Sequence, residues 1–245
     1  MQILTAAVSK GGTAKTTTCA AIAQAATDIG YHVLVVDLDP QMNLTDFVAA
    51  DASQPGTYQL FQGELAEHLI QQTKQNIDAI PASENLAAVK TTPASAKRLA
   101  IALEPLKERY DLCIIDTPPG ILELQNIALL AATSLLIPVE ADRSSLQGLY
   151  QIADRAHTAQ RSNHALTIAG IVLTKYDSRP IINRHMKKVI KKTGKEIGIP
   201  YLMEIRNGIK VREAQAMQQS LYQYAPRCKP AQDYRELLRK IMEDK

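Results

Sequence analysis

The chain reads as a doubly wound, mostly parallel α/β sheet, and three observations lead there. Short apolar runs, Ile3 to Val8, Val33-Leu34-Val35-Val36 and Leu112-Cys113-Ile114-Ile115, alternate with longer stretches of helical character. The second and third runs end in carboxylates, Asp37-Leu38-Asp39 and Asp116. Open parallel sheets bind ligands at the C-terminal edge of such strands. The first run leads into Lys10-Gly11-Gly12-Thr13-Ala14-Lys15-Thr16-Thr17, and a helix-like run follows from Thr17 to Thr27.

Strand, glycine-containing loop and helix is the order that phosphate binding needs. Small residues let the backbone curl so that several N–H groups converge, and the helix N-terminus adds positive potential. Lys15 supplies a point charge for β- and γ-phosphates, and the Thr16 hydroxyl suits Mg²⁺. Asp116 fits the Walker-B role of holding Mg²⁺ through water. Asp39 is placed to orient or deprotonate an attacking water. Taken singly, each aspartate reads equally well as a strand-end cap. Their order behind the loop favours the chemical role. The loop departs from the common G-x-x-x-x-G-K-[ST] pattern: Ser9 and Ala14 stand at the glycine positions, and a second lysine, Lys10, opens the loop.

Lys-Gly-Gly-x-x-Lys-Thr-Thr, Asp-Leu-Asp-Pro-Gln-x-Asn and Asp-Thr-Pro-Pro together resemble the ParA/MinD group of deviant Walker-A P-loop ATPases. The resemblance runs from Met1 to about Asp244 and is strongest to short partition proteins without an N-terminal DNA-reading domain. It implies that Lys10 crosses a dimer interface to the partner's nucleotide, so that ATP is sandwiched between two subunits. It implies that Gly11, Gly12, Lys15, Thr16 and Thr17, with Thr13 and Ala14 completing the loop, bind phosphate. Lys10, Lys15 and Asp39 are then the catalytic set, and Thr16, Asp39 and Asp116 the magnesium set. Two positions depart from the family. Ala14 replaces a frequent glycine, and its backbone is expected to avoid positive φ. Met42 replaces a frequent glycine after Asp39 and is expected to change how that loop moves.

A length of 245 residues suits one α/β domain, 1–245, since no Ser/Gly/Pro linker, internal repeat or low-complexity tract interrupts the alternation. Met1 leads straight into the first strand, so no signal peptide is expected. No apolar run reaches the ~18 residues that a membrane span needs. Cys19, Cys113 and Cys228 form no metal or redox pattern, which points to a reducing cytoplasm. A nitrogenase iron-protein-like reading shares the loop but needs cluster ligands that this arrangement does not provide.

The net charge of +3 hides an uneven distribution. Residues 1–174 carry 11 Lys/Arg against 17 Asp/Glu, whereas 175–212 carry 11 against 3. Arg184, Lys187, Lys188, Lys191, Lys192 and Lys195 recur at spacings that place them on one helical face, with Ile182, Met186, Val189, Ile190 and Ile197 opposite. A solvated face is usually mixed in sign, and this one has no acid before Glu196. It suits non-specific, salt-sensitive contact with double-stranded DNA. Lys210 and Arg212 form a second basic group in a segment similar to Arg-Asn-Val-Arg-Leu-Ser-Glu-Ala of partition proteins, with one extra residue. There the resemblance places Lys210 at a DNA-binding arginine and Ile205-Arg206 beside the adenine.

Three weaker signals remain. Leu173-Thr174-Lys175-Tyr176-Asp177 looks like the [NT]-K-x-D loop that reads guanine, but partition ATPases carry similar strings, so Thr174 and Lys175 are assigned to ATP with GTP left open. Tyr234, Leu237, Leu238, Ile241 and Met242 recur at helical spacing near the C-terminus. There Arg235, Arg239, Lys240 and Lys245 balance Asp233, Glu236, Glu243 and Asp244, so this helix is expected to pack on the body rather than bind anionic lipid. His157 and His164 lack acidic partners and read as surface or packing residues.

The function expected from this sequence is an ATP-dependent DNA partition ATPase. ATP and Mg²⁺ would form a homodimer that binds nucleoid DNA in the cytoplasm, and hydrolysis stimulated by a ParB-like adaptor would release it. A MinD-like membrane switch, a positioning ATPase for another cargo and an ATP-dependent amidase or ligase are the rivals.

Overall fold

A computed structural model of the chain describes residues 1–90 and 92–243. Strands Gln2–Ala6 (β1), Val33–Asp37 (β2), Gln71–Gln72 (β3), Asp78–Ile80 (β4), Leu112–Asp116 (β5), Ser134–Val139 (β6), Thr167–Tyr176 (β7) and Tyr201–Arg206 (β8) form one sheet, ordered β3-β4-β2-β5-β1-β6-β7-β8. Every neighbouring pair is parallel except β3–β4. The helices are Lys15–Asp28 (α1), Asn43–Phe47 (α2), Thr57–Gln62 (α3), Pro93–Leu103 (α4), Leu122–Ala131 (α5), Ser144–Gln160 (α6), Ile181–Glu196 (α7), Ile209–Ala216 (α8), Leu221–Tyr224 (α9) and Lys229–Glu243 (α10).

The strands read as unbroken apolar runs because both faces of the sheet are covered. Alternate residues feed opposite cores. Leu34, Val36, Cys113 and Ile115 pack with Leu60, Leu99, Leu124, Leu149 and Ile190 of α3 to α7. Val33, Val35, Leu112 and Ile114 pack with α1, α9 and α10. β1 lies between β5 and β6, where successive connections pass from one half of the sheet to the other. The loop after β1 therefore opens at the switch point of the topology.

Two helices carry the charge patterns found in the sequence. α10 buries Tyr234, Leu237, Leu238 and Ile241 against α1 and β8, as its spacing predicts. Asp244 and Lys245, which entered its charge balance, lie outside the described residues. α7 buries Met186 and Ile190, with Val189 and Ile197 half-buried. Ile182 corrects the expected apolar face: it is 60% exposed, beside Ile181 at 77%. Both lie in the first turn of α7, and the helix buries its apolar side further along, at Met186 and Ile190.

β7 carries a bulge opposite Leu135/Leu136 of β6, and Gly170 follows it at φ +143°. A Cβ there would stand 2.5 Å from the Pro200 carbonyl oxygen and 2.9 Å from Leu202 Cγ. Backbone strain and overpacking then combine. Gly170→Ala is expected to destabilise the protein by roughly 3 kcal/mol, read as a lower urea midpoint at unchanged slope.

Candidate functional site

The C-terminal ends of β1, β2 and β5 meet around the loop 9–14. Among the described residues, no protein acceptor takes the backbone N–H of Ala14, Lys15, Thr16 or Thr17, and the first helical bond runs from Thr18 N–H to the Ala14 carbonyl. Four donors and the positive end of α1 therefore converge on one point. Gly12, Ala14, Lys15, Thr16, Thr17, Asp39, Asn43, Pro119 and Lys175 line a cavity of about 310 Å³ there.

Ala14 corrects the sequence expectation. Its backbone lies at φ +59°, ψ +34°, the left-handed region that was expected to be avoided. The loop needs this turn to bring the peptide groups round to the helix start, so alanine adopts a conformation that favours glycine. Met42 does the same at φ +57°, at the entry to α2. Both positions take the left-handed backbone that glycine adopts without steric penalty.

The acidic residues sit behind the loop. Asp37 is fully buried and ties down the segment that follows it: its carboxylate accepts from Asp39 N–H at 2.9 Å, and from the Thr45 N–H and hydroxyl at 2.9 and 2.8 Å. Asp39 is thereby placed facing the cavity, its Oδ1 accepting from Gln41 N–H at 3.0 Å. Asp116 is also fully buried. The Cys19 thiol lies 3.7 Å from its Oδ1, and Oδ2 has no partner among the described residues. Burial pushes both the Asp37 and Asp116 carboxyls up, the charge of Asp37 raises Asp116 further and that of Asp39 raises both; the Thr16 hydroxyl and the Lys15 ammonium pull Asp116 part of the way back. Burial also lowers the Lys15 ammonium, against the opposing pull of Asp116 and Asp39.

This donor set fits magnesium. An orphaned, buried carboxylate oxygen is what a metal-bound water would satisfy, and a divalent cation offsets the desolvation that now disfavours the ionised aspartate. Thr16 and Asp116 would hold the ion, with Asp39 close by. The ion would supply charge neutralisation across the β- and γ-phosphates.

Lys10 is absent from the cavity lining. Its ammonium pairs instead with Asp142, whose carboxylate also accepts from the Ser145 N–H and hydroxyl and from the Ser144 hydroxyl. Burial would raise the Asp142 carboxyl, but the Lys10 ammonium and these donors hold it well below the usual range. Asp142 had no signal in the sequence, being separated from Lys10 by 132 positions.

A second cavity, of about 280 Å³, adjoins the first and is where the base is expected, since Ile205 and Arg206 line it. Ala14, Thr17, Lys175, Ile205 to Gly208, Val211, Arg212, Gln215 and Tyr234 line it. Gln215 was not singled out in the sequence, and Tyr234 was read there only as a packing residue of the C-terminal helix; Gln215 Nε2 donates to the Thr17 hydroxyl at 3.1 Å. The Arg206 guanidinium is turned to Asp233 of α10, with Nη2 2.6 Å and Nε 2.9 Å from the carboxylate. Asp177, the residue that would read guanine, lies outside this lining, in an open groove that adjoins it at Arg206 and Asn207, and accepts from Arg179 at 2.6 to 3.0 Å.

The basic residues divide. Lys187 pairs with Glu204 and lies over the Tyr176 ring, while Lys191 stands 4.5 Å from the Tyr201 centroid. Arg184 donates to the carbonyls of Ser178 and Arg179. Lys210 pairs with Glu213 at 2.7 Å. Arg184, Lys188, Lys191, Lys192 and Lys195 are all exposed on α7 and Lys187 is half-buried, so the stripe stands as helical spacing predicts, with Arg184, Lys187 and Lys191 tied to neighbouring groups and Lys192 3.8 Å from Glu196. Arg212 is exposed at the mouth of the base cavity.

Comparisons with known proteins agree with this geometry. Residues 1–168 match the family model described as an AAA domain. Residues 126–245 match the model of 4Fe-4S iron sulfur cluster binding proteins of the NifH/frxC family. Cys228 is the one cysteine in that second span, and among the described residues no three His, Cys, Asp or Glu side chains are grouped as cluster ligands would be. The chain is 32% identical to the sporulation initiation inhibitor protein Soj of Bacillus subtilis, covering 95% of this chain and 94% of that one. It is 30% identical to the chromosome-partitioning ATPase Soj of Thermus thermophilus, covering 95% and 92%. Cobyrinic acid a,c-diamide synthase of Mycobacterium smegmatis, solved with an ATP analog and magnesium, superposes with a TM-score of 0.85 at 27% identity, covering 98% of this chain and 93% of that one.

The left-handed alanine gives a direct test of loop strain. Ala14→Gly is expected to raise stability by about 1 kcal/mol, or 2–4 °C in the thermal midpoint, measured calorimetrically without nucleotide.

Proposed function

Because the chain belongs to the ParA/MinD family of ATPases, we propose that it partitions DNA, using an ATP-sandwich dimer that binds DNA without sequence preference and lets go after Mg²⁺-dependent hydrolysis. The observation that carries this reading is Lys10. Its side chain stays outside its own phosphate cavity, on the partly exposed Asp142, where it is available to a second protomer's nucleotide. Three helices that start at this edge also open on exposed apolar residues, Leu122 of α5, Ile181 of α7 and Ile209 of α8. A second protomer would cover them. Lys188, Lys192, Lys195 and Arg212 are the cations best placed for phosphates of DNA, with Arg184, Lys187, Lys191 and Lys210 held closer to the body. In this reading Asp39 orients the attacking water, Lys15 and the loop N–H groups hold the phosphates, and a ParB-like adaptor accelerates a slow basal turnover on the nucleoid.

Two alternatives are tested alongside. A MinD-like membrane role would need a free amphipathic helix, whereas α10 spends its apolar side on α1 and β8. No helix among the described residues is long and apolar enough to cross a membrane. A metabolic role is favoured by the likeness to the diamide synthase. It predicts turnover above ~1 s⁻¹ without DNA or adaptor.

Binding to non-specific duplex DNA should require ATP, fail with ADP, and weaken steeply with salt. Lys10→Ala should abolish it. Lys188→Glu/Lys192→Glu should weaken it and reduce the salt slope by about 2, at ~0.9 per phosphate contact. Binding indifferent to nucleotide would remove the switch, and none under any condition would sink the DNA cargo.

A further inference from the structure

Two successive residues at the end of β7 grip the outer side of the phosphate loop. The Thr174 hydroxyl is buried, 2.9 Å from the Thr13 carbonyl oxygen and 3.0 Å from that of Val139. The Lys175 ammonium donates to the Gly12 carbonyl at 2.6 Å and to Glu140 Oε1 at 2.7 Å. Lys175 lies at φ +49°, off the extended path of the strand, in a turn that goes with its side chain lying back over the loop.

The peptide bond explains what such a grip does. A trans peptide is planar, with its N–H opposite its C=O. Holding the Gly12 carbonyl outward aims the Thr13 N–H inward. Holding the Thr13 carbonyl outward does the same for Ala14 N–H, which has no acceptor among the described residues. Ala14 is also the residue kept at φ +59°, a conformation that persists only where its surroundings over-determine it. The bond from Thr174 to the preceding carbonyl is one such determinant.

We propose that Lys175 is a positioning residue for the nucleotide phosphates, acting through the Gly12 carbonyl, with Thr174 as its companion and Glu140 holding the ammonium over the loop. This role is independent of the cargo the ATPase moves. It differs from the base-reading role suggested by the Thr174-Lys175-x-Asp177 spacing. Asp177 is committed to Arg179, and Lys175 lines the phosphate cavity as well as the base cavity.

The test compares a ligand with phosphates and one without. Mg-ADP binding is measured by titration calorimetry and adenosine binding by ligand-observed NMR, on the full chain and on Lys175→Met, Lys175→Arg, Thr174→Val and Thr174→Ser. Lys175→Met should weaken Mg-ADP roughly tenfold or more, as for loss of a charge-assisted hydrogen bond, and leave adenosine unchanged. Lys175→Arg and Thr174→Ser, which keep the donors, should stay within about threefold of the parent, while Thr174→Val should follow Lys175→Met. In hydrolysis assays the loss should fall mainly on KM. Equal losses for adenosine and Mg-ADP would overturn the proposal in favour of base reading, and unchanged Mg-ADP affinity would overturn it outright. If Lys175→Met does not fold, the Thr174 pair decides by the same two criteria.

Discussion

The structure turns on a run of backbone N–H groups left without protein acceptors at the switch point of a parallel sheet. Free N–H donors at the positive end of a helix favour an anion, so the loop 9–14 suits a phosphate. Everything nearby serves to hold that arrangement. α1 adds its positive end, Lys15 adds a formal charge in a desolvated position, and Asp116 keeps one carboxylate oxygen free behind them. The opposing charges need each other. Asp37 and Asp39 disfavour the ionised Asp116, Lys15 favours it, and Asp116 and Asp39 in turn favour the charged Lys15.

Local strain sits at the edges of this arrangement. Ala14 and Met42 both occupy left-handed backbone where glycine would be free of steric penalty. The surrounding bonds explain why the conformation survives the substitution. The Ala14 carbonyl accepts the first bond of α1 and the Thr13 carbonyl is held by Thr174. Met42 N–H is bonded to the Asp39 carbonyl, and Asp37 pins Thr45 three residues later. A strained residue fixed from both sides holds its neighbours to a narrow range of positions, which suits a site that must align a phosphate and a water.

The segment after β6 organises the charges around the loop. Glu140 takes Lys175 and Asp142 takes Lys10, so one short turn holds two lysines that flank the same phosphate cavity. The two pairs differ in consequence. Lys175 remains in contact with the loop it orients. Lys10 is parked outside it on a partly exposed acid, an ion pair of the kind that is weak enough to exchange for a better anion. An ATP-dependent association needs a residue of that kind, because the nucleotide can shift an equilibrium only through contacts that differ between the two states.

The sequence by itself determined the alternation of strands and helices, the switch-point loop and the aspartates at the strand ends. Each of these depends on local spacing: a short apolar run buried on both sides, a small-residue turn, a carboxylate at the run's end. It also marked the basic segment 175–212 and the packed C-terminal helix, since charge and helical periodicity are local too. Only the tertiary structure decided that Ala14 keeps positive φ, because the loop's closure is set by α1 and β7 together. Only it decided that Lys187 and Lys191 lie against Glu204 and Tyr201, since β8 is brought beside α7 by the sheet. Asp142 and Glu140 acquire their roles in the same way. Residues 132 and 35 positions from their lysines become neighbours through strand order, and no periodicity in a linear chain records which strands will lie side by side.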